Sequence, residues 1–344
     1  MGGPGAAEPT EPRVPVAVLG AGSWGTALAV HLARTGHPVH LWGRDRAQLA
    51  DCAAQRRNAR YLPEAAFPDL LQVEPELATV LAHSADVLVV VPSHAFRTML
   101  TQLRPLLRPG ARLAWATKGF ELETGLLPHQ VATEMLGEAV PKAVLSGPTF
   151  AREVGQGLPT AMTVASRDGD YALRLAKMLS GDRFRAYSSD DVTGVEVGGA
   201  TKNVLAIGAG ISDGLGFGAN TRIAMITRGL AEMMRLGVAL GADRETFMGL
   251  AGLGDLVLTC TDNQSRNRRF GLALAQGKDS RQAQAEIGQV VEGVLAAEAV
   301  TRVARQAGVE MPISEQIQRA IHHGLAPREA VTALMRRQVK AETD

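Results

Sequence analysis

The fold is decided near the start of the chain, where residues 16–25 read VAVLGAGSWG. Four apolar residues precede three glycines spaced G-x-G-x-x-G, and helical apolar periodicity then predicts a helix over Thr26–Thr35. Between a strand and a helix, Gly20 permits a tight turn, Gly22 lets a pyrophosphate approach the backbone, and Gly25 allows close packing. A glycine turn without a ligand is the alternative, but such a turn would not need three entropically costly glycines.

Outward from this motif, short apolar runs alternate with amphipathic helical stretches, a pattern typical of βαβ units. The clearest predicted strands are Val16–Leu19, Val39–Trp42, Val87–Val91 and Leu113–Ala116. Beyond Val192 the chain becomes rich in Ala, Leu, Gly and Met and shows no convincing strand. The sequence thus predicts a Rossmann-type α/β fold, doubly wound on a mainly parallel sheet, followed by an all-α C-terminal domain. The predicted parts are a flexible tail (1–13), a dinucleotide-binding domain (14–191) and a helical substrate and catalytic domain (192–344).

Composition narrows the function further. The chain has 344 residues, of which 46% are hydrophobic, enough for two domains, and its net charge is only +1. The charge balance argues against a nucleic-acid partner or an anionic membrane surface, and no apolar run is long enough to span a bilayer. Cys52 and Cys260 fit no metal-ligand spacing, so we expect no metal, two packing residues and a cytoplasmic location.

The end of the second predicted strand bears on cofactor choice, because NAD enzymes usually place a carboxylate there to bind the ribose hydroxyls. Here Gly43 is followed by Arg44, which leaves room and a guanidinium for a 2′-phosphate and favours NADP. Asp45 keeps NAD use open. The competing interpretation makes Arg44 and Asp45 a solvated start of the next helix, with Asp45 as its N-cap.

Two further strand ends carry polar residues where ligands of parallel sheets bind. Lys118 follows the strand Leu113–Ala116, where its ammonium could reach cofactor or substrate; a solvated loop lysine is the alternative. His94, after Val87–Val91, could act as a general acid by position, although a loop or capping role is the simpler interpretation.

Lys202 is the strongest catalytic candidate. It lies in a predicted helix that is small and apolar on most sides, one turn from Gly198 and Ala206. Burial would lower the pKa of its ammonium and allow proton exchange near neutral pH. A lysine that extends from the helix edge into solvent is the alternative.

Asp255 follows a glycine pair in the segment Gly252–Leu256. We expect the glycines to form a turn ahead of a short apolar segment. Asp255 is then the N-cap of that segment, the carboxylate partner of Lys202, or both.

A basic helix start follows, in which Ser265, Arg266 and Asn267 open a helix predicted to end near Gln276. Three arginines in the first turn are opposed by the helix dipole, by about 0.3–1 kcal/mol each, unless an anion binds there. Arg266 could bind a phosphate with two parallel hydrogen bonds, beside free backbone N–H groups. A solvated basic turn, partly offset by Asp262, is the alternative.

Six segments in this order resemble the NAD(P)-dependent glycerol-3-phosphate dehydrogenase family of bacterial type, from about Val14 to Met335. They are residues 19–28, 116–119, 145–153, 201–204, 252–256 and 265–267. The resemblance implies that Lys202 is the proton donor and acceptor, and that the product supplies glycerophospholipid synthesis. It places the sugar phosphate, dihydroxyacetone phosphate or glycerol 3-phosphate, against Lys118, Gly147, Thr149, Lys202, Asp255, Ser265, Arg266 and Asn267. It places the cofactor, NADP with NAD also open, against Ser23, Trp24, Arg44, Lys118, Ala151, Arg266, Val290 and Glu292, in addition to the glycines 20, 22 and 25.

Two other functions fit parts of the same pattern. A neighbouring dehydrogenase of the 6-phosphogluconate or ketopantoate reductase type would share the two-domain plan but would not require the grouping Ser265–Asn267. A redox-sensing regulator would bind NADP without turnover and would need neither Lys202 nor Asp255. The helical half is a reasonable surface for a homodimer.

Overall fold

A computed structural model describes residues 13–336. Within them the strands are β1 Val16–Leu19, β2 Val39–Trp42, β3 Arg57–Asn58, β4 Leu62–Ala66, β5 Leu71–Val73, β6 Asp86–Val89, β7 Arg112–Trp115, β8 Lys142–Ser146, β9 Thr160–Ala165 and β10 Phe184–Ser189. The first helices are α1 Ser23–Arg34, α2 Arg46–Gln55, α3 Leu77–His83, α4 Ser93–Leu103, α5 Pro128–Leu136, α6 Ala151–Gln156 and α7 Gly169–Leu179. The later helices are α8 Val192–Gly214, α9 Gly218–Ala239, α10 Asp255–Thr261, α11 Arg266–Ala275, α12 Ser280–Ile287, α13 Glu292–Gln306, α14 Pro312–His322 and α15 Pro327–Met335.

Eight of the described strands form one sheet in the order β10-β9-β8-β7-β6-β1-β2-β5. All neighbouring pairs are parallel except β8 and β9, which run antiparallel. The carboxyl ends of β1, β6, β7 and β8 therefore lie along one edge of the sheet, where ligands of such folds bind. The short strands β3 and β4 form a separate antiparallel hairpin. The predicted fold class is confirmed.

The predicted strands need small corrections. Val16–Leu19 and Val39–Trp42 match β1 and β2, whereas β6 and β7 each begin and end earlier than predicted, at Asp86–Val89 and Arg112–Trp115. Helix α1 begins at Ser23 rather than Thr26, because Gly22 is its N-cap. The last part of the glycine motif thus forms the first turn of the helix, whose backbone N–H groups have no intrahelical acceptors.

The second half of the described chain is built around α8, which is buried over most of its length and packs against α9, α10, α11, α13 and α14. Asp191 caps its start by accepting a hydrogen bond from the Gly194 N–H at 2.8 Å. Glycines allow the close packing: a Cβ on Gly210 would lie 2.0 Å from the Arg268 carbonyl oxygen, and one on Gly198 would lie 2.5 Å from that of Ala251. Lys202 lies between these two contact points.

The last strand ends at Ser189 and α8 begins at Val192. Division into domains at 191/192 stays a prediction. The predicted tail, apart from Arg13, lies outside the described residues, as do residues 337–344 of the predicted helical domain. Among the described helices, none combines the length and apolar character needed to cross a bilayer.

Candidate active site

The three glycines of the motif meet three different spatial demands. Gly20 has φ +128°, and a Cβ there would lie 2.1 Å from the Val90 carbonyl oxygen; one on Gly25 would lie 1.8 Å from the Gly20 oxygen. Close packing therefore excludes any side chain at either position. Gly22 instead faces open space, with nothing within 4 Å of a Cβ position. This open, methyl-free surface beside the N–H groups of Ser23 and Trp24 fits a dinucleotide pyrophosphate.

The end of β2 shows how Gly43, Arg44 and Asp45 are used. The Asp45 Oδ1 accepts a hydrogen bond from the Gln48 N–H at 3.1 Å, so Asp45 is the N-cap of α2, as the competing interpretation held. Gly43 is buried, and a Cβ on it would lie 2.9 Å from the Ala21 Cβ, so its small size serves packing against the glycine loop. Arg44 is exposed, which is compatible both with a bound 2′-phosphate and with the solvated helix start of the competing interpretation.

Lys118 reaches its position from the loop after β7. The Thr117 hydroxyl donates to the Val91 carbonyl at 2.7 Å and fixes this loop to the one after β6. Lys118 Nζ then lies 2.6 Å from Asp255 Oδ2, with the lysine side chain 14% exposed. A solvated loop lysine is therefore the wrong interpretation.

Lys202 projects from the middle of α8 and is 8% exposed. Its Nζ donates to Asp255 Oδ1 at 2.5 Å and to Thr259 Oγ1 at 3.1 Å. The alternative in which Lys202 extends into solvent is wrong. One buried carboxylate thus holds two ammonium groups, one from each half of the chain, through its two oxygens.

The charges in this cluster shift one another. Burial lowers the pKa of Lys202 to about 8, the Asp255 carboxylate opposes this shift, and the Lys118 ammonium adds to it. Burial alone would raise the pKa of Asp255, but the two ammonium groups hold it below its ordinary value. Lys202 can therefore gain or lose a proton near neutral pH while Asp255 stays ionised.

Asp255 is placed by a π-helical turn, Leu250–Gly254, that leads directly into α10. The expected glycine turn is in this respect wrong, because the chain stays helical through Gly252 and Gly254. The N-cap interpretation is also wrong: Asp255 is already in the helix, and its side chain caps nothing there.

Thr259 was missed by the sequence analysis. Its hydroxyl donates to the Asp255 backbone oxygen at 2.6 Å, while its Oγ1 accepts from Lys202. The spacing i, i+4 on α10 puts Thr259 on the same face as Asp255, and this spacing was a signal that could have been used.

The predicted phosphate-binding turn is the start of α11. Ser265 is its N-cap, with Oγ accepting from the Arg268 N–H at 3.2 Å, which leaves the hydroxyl hydrogen free to donate. The backbone N–H groups of Arg266 and Asn267 have no intrahelical acceptor. The Arg266 side chain is half-buried, with Nη1 3.5 Å from Gln289 Oε1.

Only two of the three arginines in the first turn of α11 are available to a bound anion. Arg268 is buried, and its Nη2 lies 2.7 Å from Asp213 Oδ2. Asp213, rather than Asp262 as expected, therefore neutralises one of the positive charges of this turn. Arg266 and Arg269 remain as the cations at the surface of this turn. Two cations near a helix N-terminus are still unfavourable without a bound anion, although less so than three.

Asn267 joins three helices. Its Nδ2 donates to Asn203 Oδ1 at 2.9 Å, its Oδ1 accepts from the Gly293 N–H at 2.8 Å, and Asn203 in turn donates to Glu292 Oε2 at 3.1 Å. The start of α11 is thereby fixed beside the residue that follows Lys202. Asn203 was missed; a polar side chain on so apolar a helix was the available signal. Val290, just before Glu292, is 46% exposed.

The loop after β8 supplies the remaining predicted contacts. Gly147 has φ +146°, and a Cβ on it would lie 2.9 Å from the Met162 Cα, so only glycine fits. The Thr149 hydroxyl donates to the Gly147 carbonyl at 3.2 Å, and Ala151 begins α6. Pro148 lies next to Gly254, which brings this loop to the turn that carries Asp255.

Two expectations concern groups outside this cluster. His94 is exposed on α4, and a role for it as general acid has no support. Throughout residues 13–336, no three or more His, Cys, Asp or Glu side chains are grouped as metal ligands.

Comparisons with known proteins agree on one family. Sequence profiles of the N- and C-terminal parts of NAD-dependent glycerol-3-phosphate dehydrogenase match residues 15–172 and 191–332. The glycerol-3-phosphate dehydrogenase [NAD(P)+] of Cronobacter sakazakii is 59% identical over 326 residues, 94% of this chain and 96% of that protein. The Edwardsiella ictaluri protein of the same name is 59% identical over 334 residues, 97% and 99% of the two chains. The crystal structure of glycerol-3-phosphate dehydrogenase from Coxiella burnetii superposes with a TM-score of 0.92 at 49% identity, covering 94% of this chain and 99% of that one.

Proposed function

The chain belongs to the NAD-dependent glycerol-3-phosphate dehydrogenase family, and on this premise we propose that it transfers a hydride reversibly between NAD(P)H and dihydroxyacetone phosphate. The product of reduction is sn-glycerol 3-phosphate, the three-carbon backbone of glycerophospholipids, whose synthesis it would supply. NADP is the favoured cofactor, with NAD also accepted, because Asp45 is engaged as a helix cap and Arg44 is exposed beside it.

One observation carries the proposal: a buried lysine whose pKa is lowered to about 8 shares a single carboxylate with a second lysine. An ammonium at this pKa can stabilise negative charge on a carbonyl oxygen and then protonate it. Lys202 takes this role in reduction, and its neutral amine accepts the proton in oxidation. Asp255 and Thr259 orient the Lys202 amine, and Lys118 adds positive potential. When bound, NAD(P)H supplies the hydride.

The substrate phosphate is assigned to the start of α11. Arg266 offers two parallel N–H donors, Ser265 offers its hydroxyl, and Arg266 and Asn267 offer backbone N–H groups. Gly147 and Thr149, in the loop beside the π-helical turn, would contact the rest of the sugar phosphate. The cofactor would lie on the glycine loop, with Arg44, Ala151, Val290 and Glu292 as further contacts.

The test is a turnover measurement with purified protein. NADPH and dihydroxyacetone phosphate are mixed, and the loss of reduced-cofactor absorbance is followed. A redox-sensing regulator would bind NADPH without oxidising it. A neighbouring dehydrogenase would oxidise NADPH only when another ketone, such as ketopantoate, replaces dihydroxyacetone phosphate.

The helical half also supports a homodimer. A groove of about 1050 Å³, lined mainly by apolar residues, runs between α8, α9, α14 and α15. Val238 and Met335 on its walls are 50% and 81% exposed, and exposed apolar surface of this kind marks protein interfaces. A second copy of this chain is the proposed occupant. Light scattering on wild type and Val238→Lys would test it, with a monomeric wild type as the contradicting result.

Cys52 and Cys260 are both buried free thiols, as expected in a reducing compartment, and this supports a cytoplasmic location. We retain residues 14–191 as the dinucleotide-binding domain and 192–344 as the helical domain, supported by the element change between Ser189 and Val192.

A further inference from the structure

The β3–β4 hairpin lies directly against the glycine loop. Asn58 in β3 is fully buried, and its Nδ2 donates to the Ala21 carbonyl at 3.0 Å and to the Thr26 hydroxyl at 2.8 Å. Its Oδ1 accepts from the Tyr61 N–H at 3.2 Å. The tip of the hairpin, which contains Arg60, is therefore held in a fixed position beside the dinucleotide turn.

Arg60 projects from this tip toward the end of β2. Its Nη1 lies 3.9 Å from Asp45 Oδ2, and its guanidinium lies 5.0 Å from the centre of the Tyr61 ring. Asp45 Oδ1 is occupied by the Gln48 N–H, so both carboxylate oxygens have partners within the protein. A ribose diol that sought Asp45 would compete with the helix cap on one side and with Arg60 on the other.

The contact between Arg60 and Asp45 is weak enough to be exchanged for a ligand. The two side chains are 66% and 46% exposed, and ion pairs with this exposure contribute little to stability. A phosphate monoester carries more negative charge than a carboxylate near neutral pH, and its three oxygens match the fork of a guanidinium. Arg60 could therefore turn from Asp45 to a phosphate without a large loss of folding free energy.

We propose that Arg60 is a second binding residue for the 2′-phosphate of NADP, in addition to Arg44, and that the two arginines together set the preference for NADP over NAD. The inference rests on the proposed function, since it assumes that the nucleotide binds on the glycine loop. The usual cofactor-selecting positions lie at the end of the second strand. Arg60 lies instead in the β3–β4 hairpin.

The experiment compares two nucleotide fragments that differ only in the 2′-phosphate. Calorimetric titration of the full chain with 2′,5′-ADP and with 5′-AMP gives the two dissociation constants. We expect Arg60→Ala to weaken 2′,5′-ADP about 10-fold, or about 1.4 kcal/mol, and to leave 5′-AMP within about twofold. Arg46→Ala is the matched control, because Arg46 is an exposed arginine of α2 paired with Glu76 at 2.7 Å; it should change neither constant.

A second variant should change the affinity for 2′,5′-ADP in the opposite direction. Asp45→Asn keeps an N-cap acceptor but removes the charge that holds Arg60, so 2′,5′-ADP should bind a few-fold more tightly while 5′-AMP is unchanged. Equal weakening of both fragments by Arg60→Ala, or of neither, would overturn the inference, as would loss of 5′-AMP affinity in Asp45→Asn. Turnover of NADPH with dihydroxyacetone phosphate by wild type is measured separately, so failure of the proposed function is recognised independently.

Discussion

The Asp255 Oδ1 atom lies 2.5 Å from the Nζ of Lys202, in a setting where both side chains are buried. Burial lowers the pKa of the amine to about 8, Asp255 opposes that change, and Lys118 reinforces it. The protonation state of Lys202 is therefore adjusted chiefly by two neighbours that act in opposite directions, and Glu292 adds a smaller effect in the same direction as Asp255.

Replacing Lys202 by Ala should abolish most of the turnover and leave NADPH affinity nearly intact. The variant lacks the proposed proton donor, and general acid catalysis contributes roughly 100- to 10,000-fold. Steady-state kcat and a fluorescence titration with NADPH measure the two effects. Lys177→Ala, at an exposed position of α7, is the control. Unchanged kcat in Lys202→Ala would remove Lys202 from the mechanism.

Replacing Lys118 by Met should move the pH profile of ketone reduction to higher pH. In the proposed mechanism reduction needs the Lys202 ammonium, so kcat should fall as pH rises through the Lys202 pKa of about 8 in wild type. Without the Lys118 charge the pKa of Lys202 rises, and the falling limb of kcat moves with it. The measurement is kcat at saturating substrate across the neutral to alkaline range; a shift toward lower pH would contradict the assignment.

Asp255→Asn should shift the same limb in the opposite direction. Loss of the carboxylate removes the charge that raises the pKa of Lys202, so the ammonium persists only at lower pH. The variant also leaves two ammonium groups without their counter-ion, and breaking such a buried pair destabilises a protein by about 3–5 kcal/mol. Denaturant unfolding measures the stability loss and the kcat profile measures the shift. Shifts of equal sign in Asp255→Asn and Lys118→Met would show that charge is not the cause.

Arg266→Lys should chiefly raise the KM for dihydroxyacetone phosphate, by about 10-fold, because a single ammonium cannot replace a bidentate guanidinium. Arg269→Lys is the matched control, since Arg269 is exposed in the same helical turn. Steady-state kinetics of both variants provide the comparison. If KM is the same in both, the phosphate binds elsewhere.

Gly198→Ala should destabilise the protein, whereas Gly199→Ala should be tolerated. The new methyl group would lie 2.5 Å from the Ala251 backbone oxygen in the first case, but no closer than 3.4 Å to any neighbour in the second. Overpacking of this kind costs about 1–3 kcal/mol. Urea unfolding of the two variants compares neighbouring positions of one helix. Equal stabilities would mean that α8 and the π-helical turn can separate without loss.

Much of the fold could be predicted because its signals are local. The glycine motif, the apolar strands and the small-residue helix around Lys202 each follow from residues close in sequence. The start of α1 was placed too late, because Gly22 caps the helix without a side chain that would mark it. The π-helical turn before Asp255 was also missed, because glycine pairs are far commoner in open turns.

The site was predictable where helical spacing, or a charged residue on an otherwise apolar helix, gave a signal, as for Lys202. The contact between Lys118 and Asp255 joins residues 137 positions apart, and only the folded chain brings them together. The same is true of Arg268 and Asp213, whose pairing withdrew one cation from the predicted anion site. Residue types indicated which groups carry charge, but their partners depend on tertiary packing.

The sharing of one carboxylate by Lys118 and Lys202 has a consequence for substrate discrimination. When both amines are protonated, two positive charges contact the single Asp255 carboxylate in a mostly buried space, Glu292 offsets them only weakly, and an incoming dianion relieves the excess. Dihydroxyacetone itself, which has the same carbon skeleton but no charge, would leave the excess in place. Selection against unphosphorylated trioses is thus expected to be electrostatic rather than steric, and to respond only weakly to ionic strength, because salt screens buried charges less than exposed ones.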